Sequence, residues 1–282
     1  MDLLCPEDRK ILCETLCLFD KVCKKLGIKY YLAYGTLLGA VRHKGFIPWD
    51  DDIDVFMTQD DYTILLNATE KSIEDWSIGE FDCGLRSKYI ISKFYNRNSL
   101  VLEEGTFLTY AWIDIFVLNP VSEENIKSHV KKVQRSAKTY CLANRLHRGD
   151  RKYTGIKRFF YSVTEKIIGI KKAEKNLRKV LTEYAQDPKA DMLYCYSPNY
   201  SGKIRPYIFR KEWFEQANYL EMENCKFMVP KDYREVLVQM FGDYMTLPPE
   251  EERTLCHKNI FLKKGEHFVA EYSYPMKDFE IK

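Results

Sequence analysis

Four of the five residues from position 50 to position 54 are aspartates, and this stretch is the chemically most informative one in the sequence. Carboxylates so close together repel each other, and burying them unpaired would cost on the order of several kcal/mol. Asp52 and Asp54 are two residues apart on a predicted strand, so their side chains point to the same face. Such oxygens suit a divalent cation, and Mg²⁺ is the usual one beside phosphates. A solvated acidic turn is the alternative.

Two other polar features point to the same chemistry. The segment 34–39 places Gly35 and Thr36 at a predicted strand-to-helix turn, where backbone N–H groups and the helix dipole favour a phosphate; an ordinary tight turn is the alternative. Asp114 lies in an apolar strand, where its charge requires a metal, a cation or a proton; a hydrogen-bonded core residue is the alternative. Together, the three features match the nucleotidyltransferase arrangement, in which carboxylates hold a metal against a nucleotide's phosphates.

The elements that must position these residues can be predicted from periodicity. Apolar residues at helical spacing predict a helix over 8–26, ended by Gly27. The remaining predicted elements are strands over 30–34, 53–57, 90–94 and 112–117, a helical turn over 36–42, a helix over 60–72, and mostly helix over 121–190. Because the strands come early and the helices later, the sequence predicts an α/β or α+β fold.

The composition excludes several classes of protein. The 282 residues include 4 Trp, 20 Tyr and 16 Phe, an apolar content that a disordered chain lacks. No run reaches the roughly 18 consecutive apolar residues of a membrane-spanning helix. The first residues lack the basic and apolar regions of a signal peptide, so we expect a cytoplasmic globular protein.

The charge is unevenly distributed. The segment 127–179 has 17 Lys and Arg against three acidic residues, a net charge of +14, so the rest of the chain carries −11. This asymmetry suggests an anionic partner, which could be nucleic acid, a lipid surface or a phosphate-rich substrate. Within 150–172, the apolar residues at 156, 159, 160, 163 and 167 form one helical face flanked by Lys and Arg. We expect either a helix packed on the domain or peripheral contact with an anionic membrane.

The nine cysteines form no pattern typical of a zinc finger. We expect reduced, packed thiols in a cytoplasmic protein, with a structural zinc site as the alternative. Five scattered histidines offer no spacing for the ligands of a zinc hydrolase.

The segment 31–55, from Tyr31-Leu-Ala-Tyr-Gly-Thr-Leu-Leu-Gly to Pro-Trp-Asp-Asp-Asp-Ile-Asp-Val55, closely resembles the LicD family. These are phosphocholine transferases of bacterial cell-surface glycans, related to the eukaryotic fukutins. The strand 112–116 resembles the family's third-carboxylate strand. Residues 230–249 resemble its C-terminal signature, with Phe241 where Tyr is commoner. The resemblance covers about 1–120 and 200–257 and leaves out the basic middle.

The resemblance implies an α/β (α+β) fold with a nucleotidyltransferase-like core, a mixed sheet and a basic helical insertion. We expect the catalytic core at 1–120, the insertion at 121–190, and a C-terminal part at 191–282 that completes the domain.

The implied reaction is transfer of a phospho-alcohol, typically phosphocholine, from a CDP-linked donor to a glycan hydroxyl, with release of CMP. The acceptor could be lipid-linked, which would suit a peripheral position on the inner membrane face. Asp52 and Asp54 would bind Mg²⁺, with Mn²⁺ as the alternative. Asp114 would be a third ligand or the base that takes the acceptor's proton.

The donor would be held by several other side chains. Gly35 and Thr36 would contact a donor phosphate, and Arg42 would give it a bidentate cation. Lys93 is a weaker phosphate candidate, with an ordinary strand-edge lysine as the alternative. The quaternary ammonium of choline prefers an aromatic face, for which we expect Trp49, with Tyr34 and Trp112 as further candidates.

Two rival functions use the same features. A nucleotidylyltransferase would move the NMP and release pyrophosphate, with the same three carboxylates. A module that binds nucleic acid or membrane would have a catalytically silent acidic site. Because Asp52, Asp54 and Asp114 are all present, we expect an enzyme and no nucleic-acid partner.

Overall fold

The computed structural model describes residues 3–68, 75–82, 91–103, 107–147, 169–196, 207–255 and 260–263. The helices are α1 (Pro6–Leu26), α2 (Tyr34–Arg42), α3 (Gln59–Ala68), α4 (Ile126–His147), α5 (Ile170–Leu181) and α6 (Tyr233–Phe241). The strands are β1 (Tyr31–Leu32), β2 (Asp54–Thr58), β3 (Trp76–Asp82), β4 (Ile91–Glu103), β5 (Phe107–Val121), β6 (Met192–Cys195), β7 (Ile208–Arg210), β8 (Ala217–Met222), β9 (Cys225–Pro230) and β10 (Ile260–Lys263). These elements confirm the α+β prediction.

The described residues divide into two compact units. The first contains Met1–Glu80, Ser92–Val117 and Trp213–Lys282, and the second contains Phe81–Ile91 and Leu118–Glu212. The acidic segment and Asp114 belong to the first unit, whereas the basic segment 127–179 falls within the range of the second.

The first unit is built on a sheet whose strand order is β1-β2-β5-β4-β10. Helix α1 contributes a buried apolar face to this unit, including Leu16 and Phe19. The helix has Pro6 in its first turn and ends at Gly27, whose φ of 67° lies in the left-handed region that favours glycine. Both the helix and its end agree with the prediction from periodicity.

Strands β4 and β5 are much longer than predicted. They pair antiparallel, with Lys93 opposite Asp114, and the register shifts between Asn96 and Leu100. Residues directly opposite in an antiparallel pair have side chains on the same face, so this register places a lysine beside the buried aspartate.

The turn from β1 into α2 is conformationally strained. Tyr34 has a φ of 40°, which is uncommon for a residue other than glycine. Its ring packs against Phe56 and Phe116, with ring centroids 5.1 and 4.7 Å away. These aromatic contacts hold the first residue of α2 in place.

The first unit also contains a separate two-stranded sheet, the hairpin β8–β9. Met222 pairs with Cys225, so the turn consists of Glu223 and Asn224, with φ values of 51° and 62°. A two-residue hairpin turn of type I′ requires left-handed φ values at both of its residues. This turn places Cys225 at the start of β9.

In the second unit, β6 pairs antiparallel with the last residues of β5 and with β7. Helices α4 and α5 share a small core that includes Ala137, Tyr140, Ala173 and Leu177. Of the segment 150–172, residues 150–168 lie outside the described residues. No helix of the described part is long and apolar enough to cross a membrane.

Candidate active site

The acidic segment is tied to three elements through its backbone. The N–H of Asp54 donates to Thr36 Oγ1 at 2.9 Å, and its carbonyl accepts from the N–H of Ala33 at 3.0 Å. The N–H of Asp114 donates to the carbonyl of Ile53 at 2.8 Å. These bonds join the start of α2, the start of β2 and the middle of β5, which positions the carboxylates of Asp54 and Asp114.

Asp54 lies in a strongly anionic environment. Its side chain is buried, and burial, followed by the charges of Asp52, Asp114 and Asp50, raises its pKa well above the ordinary value. Lys93 acts in the opposite direction, but less than the carboxylates. The chain alone therefore does not stabilise a charged Asp54, which favours either a bound proton or a cation from outside.

Asp114 has a cationic partner. Lys93 Nζ donates to Asp114 Oδ1 at 2.5 Å, and the same ammonium lies 4.4 Å from the centre of the Trp112 ring. Both members of the ion pair are largely buried, with 13% of each side chain exposed. The Lys93 ammonium therefore contacts both the Asp114 carboxylate and the face of the Trp112 ring.

Gly35 and Asp50 lie in direct contact. A Cβ on Gly35 would collide with the Asp50 carboxylate, so only glycine admits this approach. Asp50 thus lies beside the first turn of α2, where a carboxylate is favoured by the helix dipole. A donor phosphate at this turn would have to share the position with Asp50 or displace it.

Arg42, at the end of α2, points to the loop that follows α6. It donates to the carbonyls of Tyr244 at 2.9 Å and Thr246 at 3.4 Å. Burial and the nearby Arg253 lower the pKa of its guanidinium. In this structure Arg42 fastens the C-terminal signature to α2, and contact with a phosphate stays a prediction.

Trp49 also contacts a cation. The Arg253 guanidinium lies 5.5 Å from the centre of its ring, and His43 packs against it edge-on at 5.9 Å. Tyr34 faces other aromatic rings, and Trp112 faces Lys93, so each of the three expected aromatic side chains already has a neighbour.

The structure brings Asp50, Asp52, Asp54, Asp114 and Lys93 into one electrostatic neighbourhood. Sequence reasoning named the segment 50–54 but gave no role to Asp50, and it missed Arg253. The collision at Gly35 depends on the folded turn. Arg253 is separated from Trp49 by 204 residues, and no motif signals that contact.

The donor set at this site fits Mg²⁺, which prefers carboxylate oxygens. The charge of Asp52 contributes to the raised pKa of the buried Asp54 carboxyl, and a cation held by these two side chains would favour the ionised form of Asp54. Within the described ranges, however, only sulfur atoms form a group of three possible ligand atoms within 4.8 Å of one another. Asp114, paired with Lys93, would have to move to join a shared ion.

Known proteins resemble this chain over the residues that form the candidate site. Residues 27–140 match the family described as LicD/FKTN/FKRP, nucleotidyltransferase domain. The lipopolysaccharide cholinephosphotransferase LicD of Haemophilus influenzae is 29% identical over 262 residues, which are 91% of this chain and 97% of the relative. An uncharacterised protein of Rickettsia prowazekii is 57% identical over 37 residues, 13% of this chain and 14% of its own.

The match to the family extends beyond the segment that first suggested it. The family model includes α2, the acidic segment, Lys93 and Asp114, and the Haemophilus relative is similar along nearly its whole length. The resemblance to the LicD family predicted from residues 31–55 is confirmed by the match of residues 27–140 to the family's nucleotidyltransferase domain and by the similarity to the Haemophilus LicD protein.

Proposed function

We propose that this protein transfers phosphocholine from CDP-choline to a hydroxyl of a cell-surface glycan or of its lipid-linked precursor, and that it releases CMP. The observation that carries the proposal is the similarity to a lipopolysaccharide cholinephosphotransferase over 97% of that relative's length. The relative's name supports a donor that carries choline phosphate and a glycan acceptor. The cytidine carrier is the finer part of the proposal.

In the proposed reaction, the acceptor oxygen attacks the phosphorus that carries choline. A new phosphorus–oxygen ester bond forms, and the bridging bond to the cytidine phosphate breaks, with its electron pair leaving on CMP. The hydroxyl proton passes to a base. Most of the catalysis in such transfers comes from positioning and from stabilisation of negative charge.

Asp52 and Asp54 would bind Mg²⁺, with Mn²⁺ as the alternative. The ion, when bound, would neutralise charge on the donor's diphosphate. The carboxylate cluster around Asp54 supports this role, because its own surroundings supply too little positive charge.

Asp114 would act as the base or as a further ligand, and Lys93 orients it in either role. The two roles can be separated by Asp114→Asn. If Asp114 is the base, Mg²⁺ affinity stays near the wild-type value while kcat falls. If it is a ligand, the Mg²⁺ concentration required for half-maximal rate rises as well.

Thr36 and Gly35 would contact the donor's phosphate. The bond from the Asp54 N–H uses an acceptor lone pair of Thr36, so the Thr36 hydroxyl proton can still be donated to a phosphate oxygen. Arg42 would add a positive charge nearby.

Trp49 would bind the quaternary ammonium. The centre of its ring already lies 5.5 Å from the Arg253 guanidinium, which supports a role for this ring in cation binding, with Arg253 giving way to the ligand. Trp49→Phe should raise the donor KM less than Trp49→Ala. An unchanged donor KM in Trp49→Ala would remove Trp49 from the donor site.

The first experiment measures CMP release from CDP-choline with Mg²⁺ and a panel of glycans. The wild type is compared with Asp52→Ala plus Asp54→Ala, and with Asp60→Ala, which removes an exposed carboxyl outside the cluster. We expect the wild type and Asp60→Ala to release CMP, and the double variant to release none. CMP release from another CDP-alcohol but not from CDP-choline would keep the mechanism and change the assigned donor. The absence of CMP release with every donor and acceptor would contradict the proposal.

The domain description keeps one rival open, transfer of an NMP. The same assay distinguishes it, since pyrophosphate rather than CMP would then be released from a nucleoside triphosphate. Cosedimentation with anionic vesicles tests membrane contact through 150–172, and a gel shift across salt concentrations tests the nucleic-acid rival.

A further inference from the structure

Three thiols from two distant parts of the sequence meet in the first unit. Cys13 and Cys17 lie one helical turn apart on α1, and Cys225 is the first residue of β9. Their sulfur atoms all lie within 4.8 Å of one another, and Cys17 Sγ is 3.5 Å from Cys225 Sγ. The sequence has no second cysteine pair at the spacing of a zinc finger. The approach of Cys225 to Cys13 and Cys17 therefore depends on the fold.

The position of Cys225 is fixed by the turn that precedes it. Glu223 Oε1 accepts from Arg9 of α1 at 3.0 Å and from the Phe46 N–H at 3.1 Å. Gly45 allows this approach, because a Cβ there would lie 2.5 Å from the same oxygen. The hairpin turn is thus held against α1 one helical turn before Cys13.

Protonated thiols gain little from this arrangement, since S–H is a weak hydrogen-bond donor. Burial, together with the neighbouring sulfur atoms, raises the pKa of Cys13 and of Cys17. Cys13 and Cys17 therefore carry their protons at neutral pH unless a cation replaces them. All three residues are half-buried, so a cation can reach them from solvent.

We propose that Cys13, Cys17 and Cys225 form a three-thiolate site for a thiophilic divalent cation, Zn²⁺ in the first instance, which joins α1 to the β8–β9 hairpin. Zinc–sulfur bonds of about 2.3 Å place sulfur atoms roughly 3.8 Å apart in a tetrahedral site. The longest sulfur–sulfur distance would have to shorten by about 1 Å or less for the three thiolates to bind one ion. A water molecule would take the fourth position.

Binding releases three protons to solvent and leaves the site with one net negative charge. Arg9 lies at the same end of the hairpin, where its charge is paired with that of Glu223. Thiolates select soft cations, whereas the aspartate site selects Mg²⁺, so the two sites take different metals. Zinc here would be structural and independent of the proposed transfer.

The test titrates Zn²⁺ into the reduced, metal-stripped full chain against a chromogenic chelator, with Co²⁺ as a spectroscopic probe. We expect one Zn²⁺ per chain and a sulfur-to-cobalt charge-transfer band. Cys13→Ser, Cys17→Ser and Cys225→Ser should each raise the Kd by at least the roughly 10–100-fold that follows loss of a ligand's hydrogen-bond partner. Cys5→Ser replaces an exposed thiol at the N-cap of α1 and should bind Zn²⁺ like the wild type.

Alkylation of the wild type provides a second readout that needs no variant to fold. Zn²⁺ should slow labelling of Cys13, Cys17 and Cys225 together, as located by peptide mass spectrometry, and leave Cys5 unprotected. The chain with Asp52→Ala and Asp54→Ala should keep the Zn²⁺ site, which separates this proposal from the proposed activity. Wild-type protein that binds no Zn²⁺, or three serine variants that bind it as well as the wild type, would overturn the proposal.

Discussion

Asp54 and Asp114 are equally buried, each with 9% of its surface exposed, but their surroundings are opposite. Asp114 faces an ammonium on the neighbouring strand, Lys93, at 2.5 Å. Asp54 is surrounded chiefly by other carboxylates, which raise its pKa together with burial. The chain supplies a counter-ion to one carboxylate and leaves the other without enough positive charge.

This difference indicates which carboxylate depends on a ligand. Removing one member of a buried ion pair leaves the charge of the other member buried and uncompensated. Lys93 and Asp114 therefore stabilise the fold only as a pair. Among the described residues, Lys93 offsets only part of the negative charge around Asp54, so further positive charge has to come from a bound cation. A cation bound at Asp54 would therefore add stability as well as activity.

The largest expected effect is on activity. Asp54→Asn should lower the rate of transfer on the order of 10²–10³-fold or more, because it removes an electrostatic contact made through the bound cation to developing charge. The assay is CMP release at saturating Mg²⁺. Asp60→Asn serves as the matched control and should keep the wild-type rate. Substantial activity in Asp54→Asn would place the metal elsewhere.

The second effect concerns the ion pair. Lys93→Met should lower the free energy of unfolding by about 3–5 kcal/mol, since Asp114 is then buried without its partner. Urea unfolding measures the change. Adding Asp114→Asn to Lys93→Met should restore most of the loss, because it removes the unpaired charge. Equal stability of the single and double variants would show that the pair does not hold β4 to β5.

Much of this contrast could be predicted from the sequence. The spacing of Asp52 and Asp54 and the apolar residues around Asp114 indicated three carboxylates near a cation. The partner of Asp114 could not be predicted, since it depends on the register of β4 against β5. A shift of that register by one residue would move Lys93 to the opposite face of the sheet.

The fold was predictable to a similar depth. The periodicity of α1 and its glycine end were visible in the sequence, because both depend on local chemistry. The extent of β4 and β5, the contact between Trp49 and Arg253, and the approach of Cys225 to α1 depend on long-range packing. Local patterns contain no information about such contacts.

A smaller effect is expected from the bond that links α2 to β2. Thr36→Val should lower the free energy of unfolding by about 1–3 kcal/mol, since the buried N–H of Asp54 loses its acceptor. Thr36→Ser keeps the hydroxyl and should behave like the wild type. Measurement of both by urea unfolding separates the hydrogen bond from simple packing, and equal losses in the two variants would show that the hydrogen bond alone does not account for the effect.

The smallest expected effect is the pH dependence of stability in EDTA. The folded chain holds the proton of Asp54 more tightly than the unfolded chain does. The resulting contribution to the free energy of unfolding is therefore fully present below the ordinary pKa of 3.8. It is lost as pH rises through the raised pKa of the folded state. Asp54→Asn removes the titration and should therefore unfold at a higher temperature than the wild type at neutral pH. Added Mg²⁺ should narrow that gap by stabilising only the wild type. Identical pH profiles would mean that Asp54 ionises as readily as an exposed aspartate, and the contrast with Asp114 would not hold.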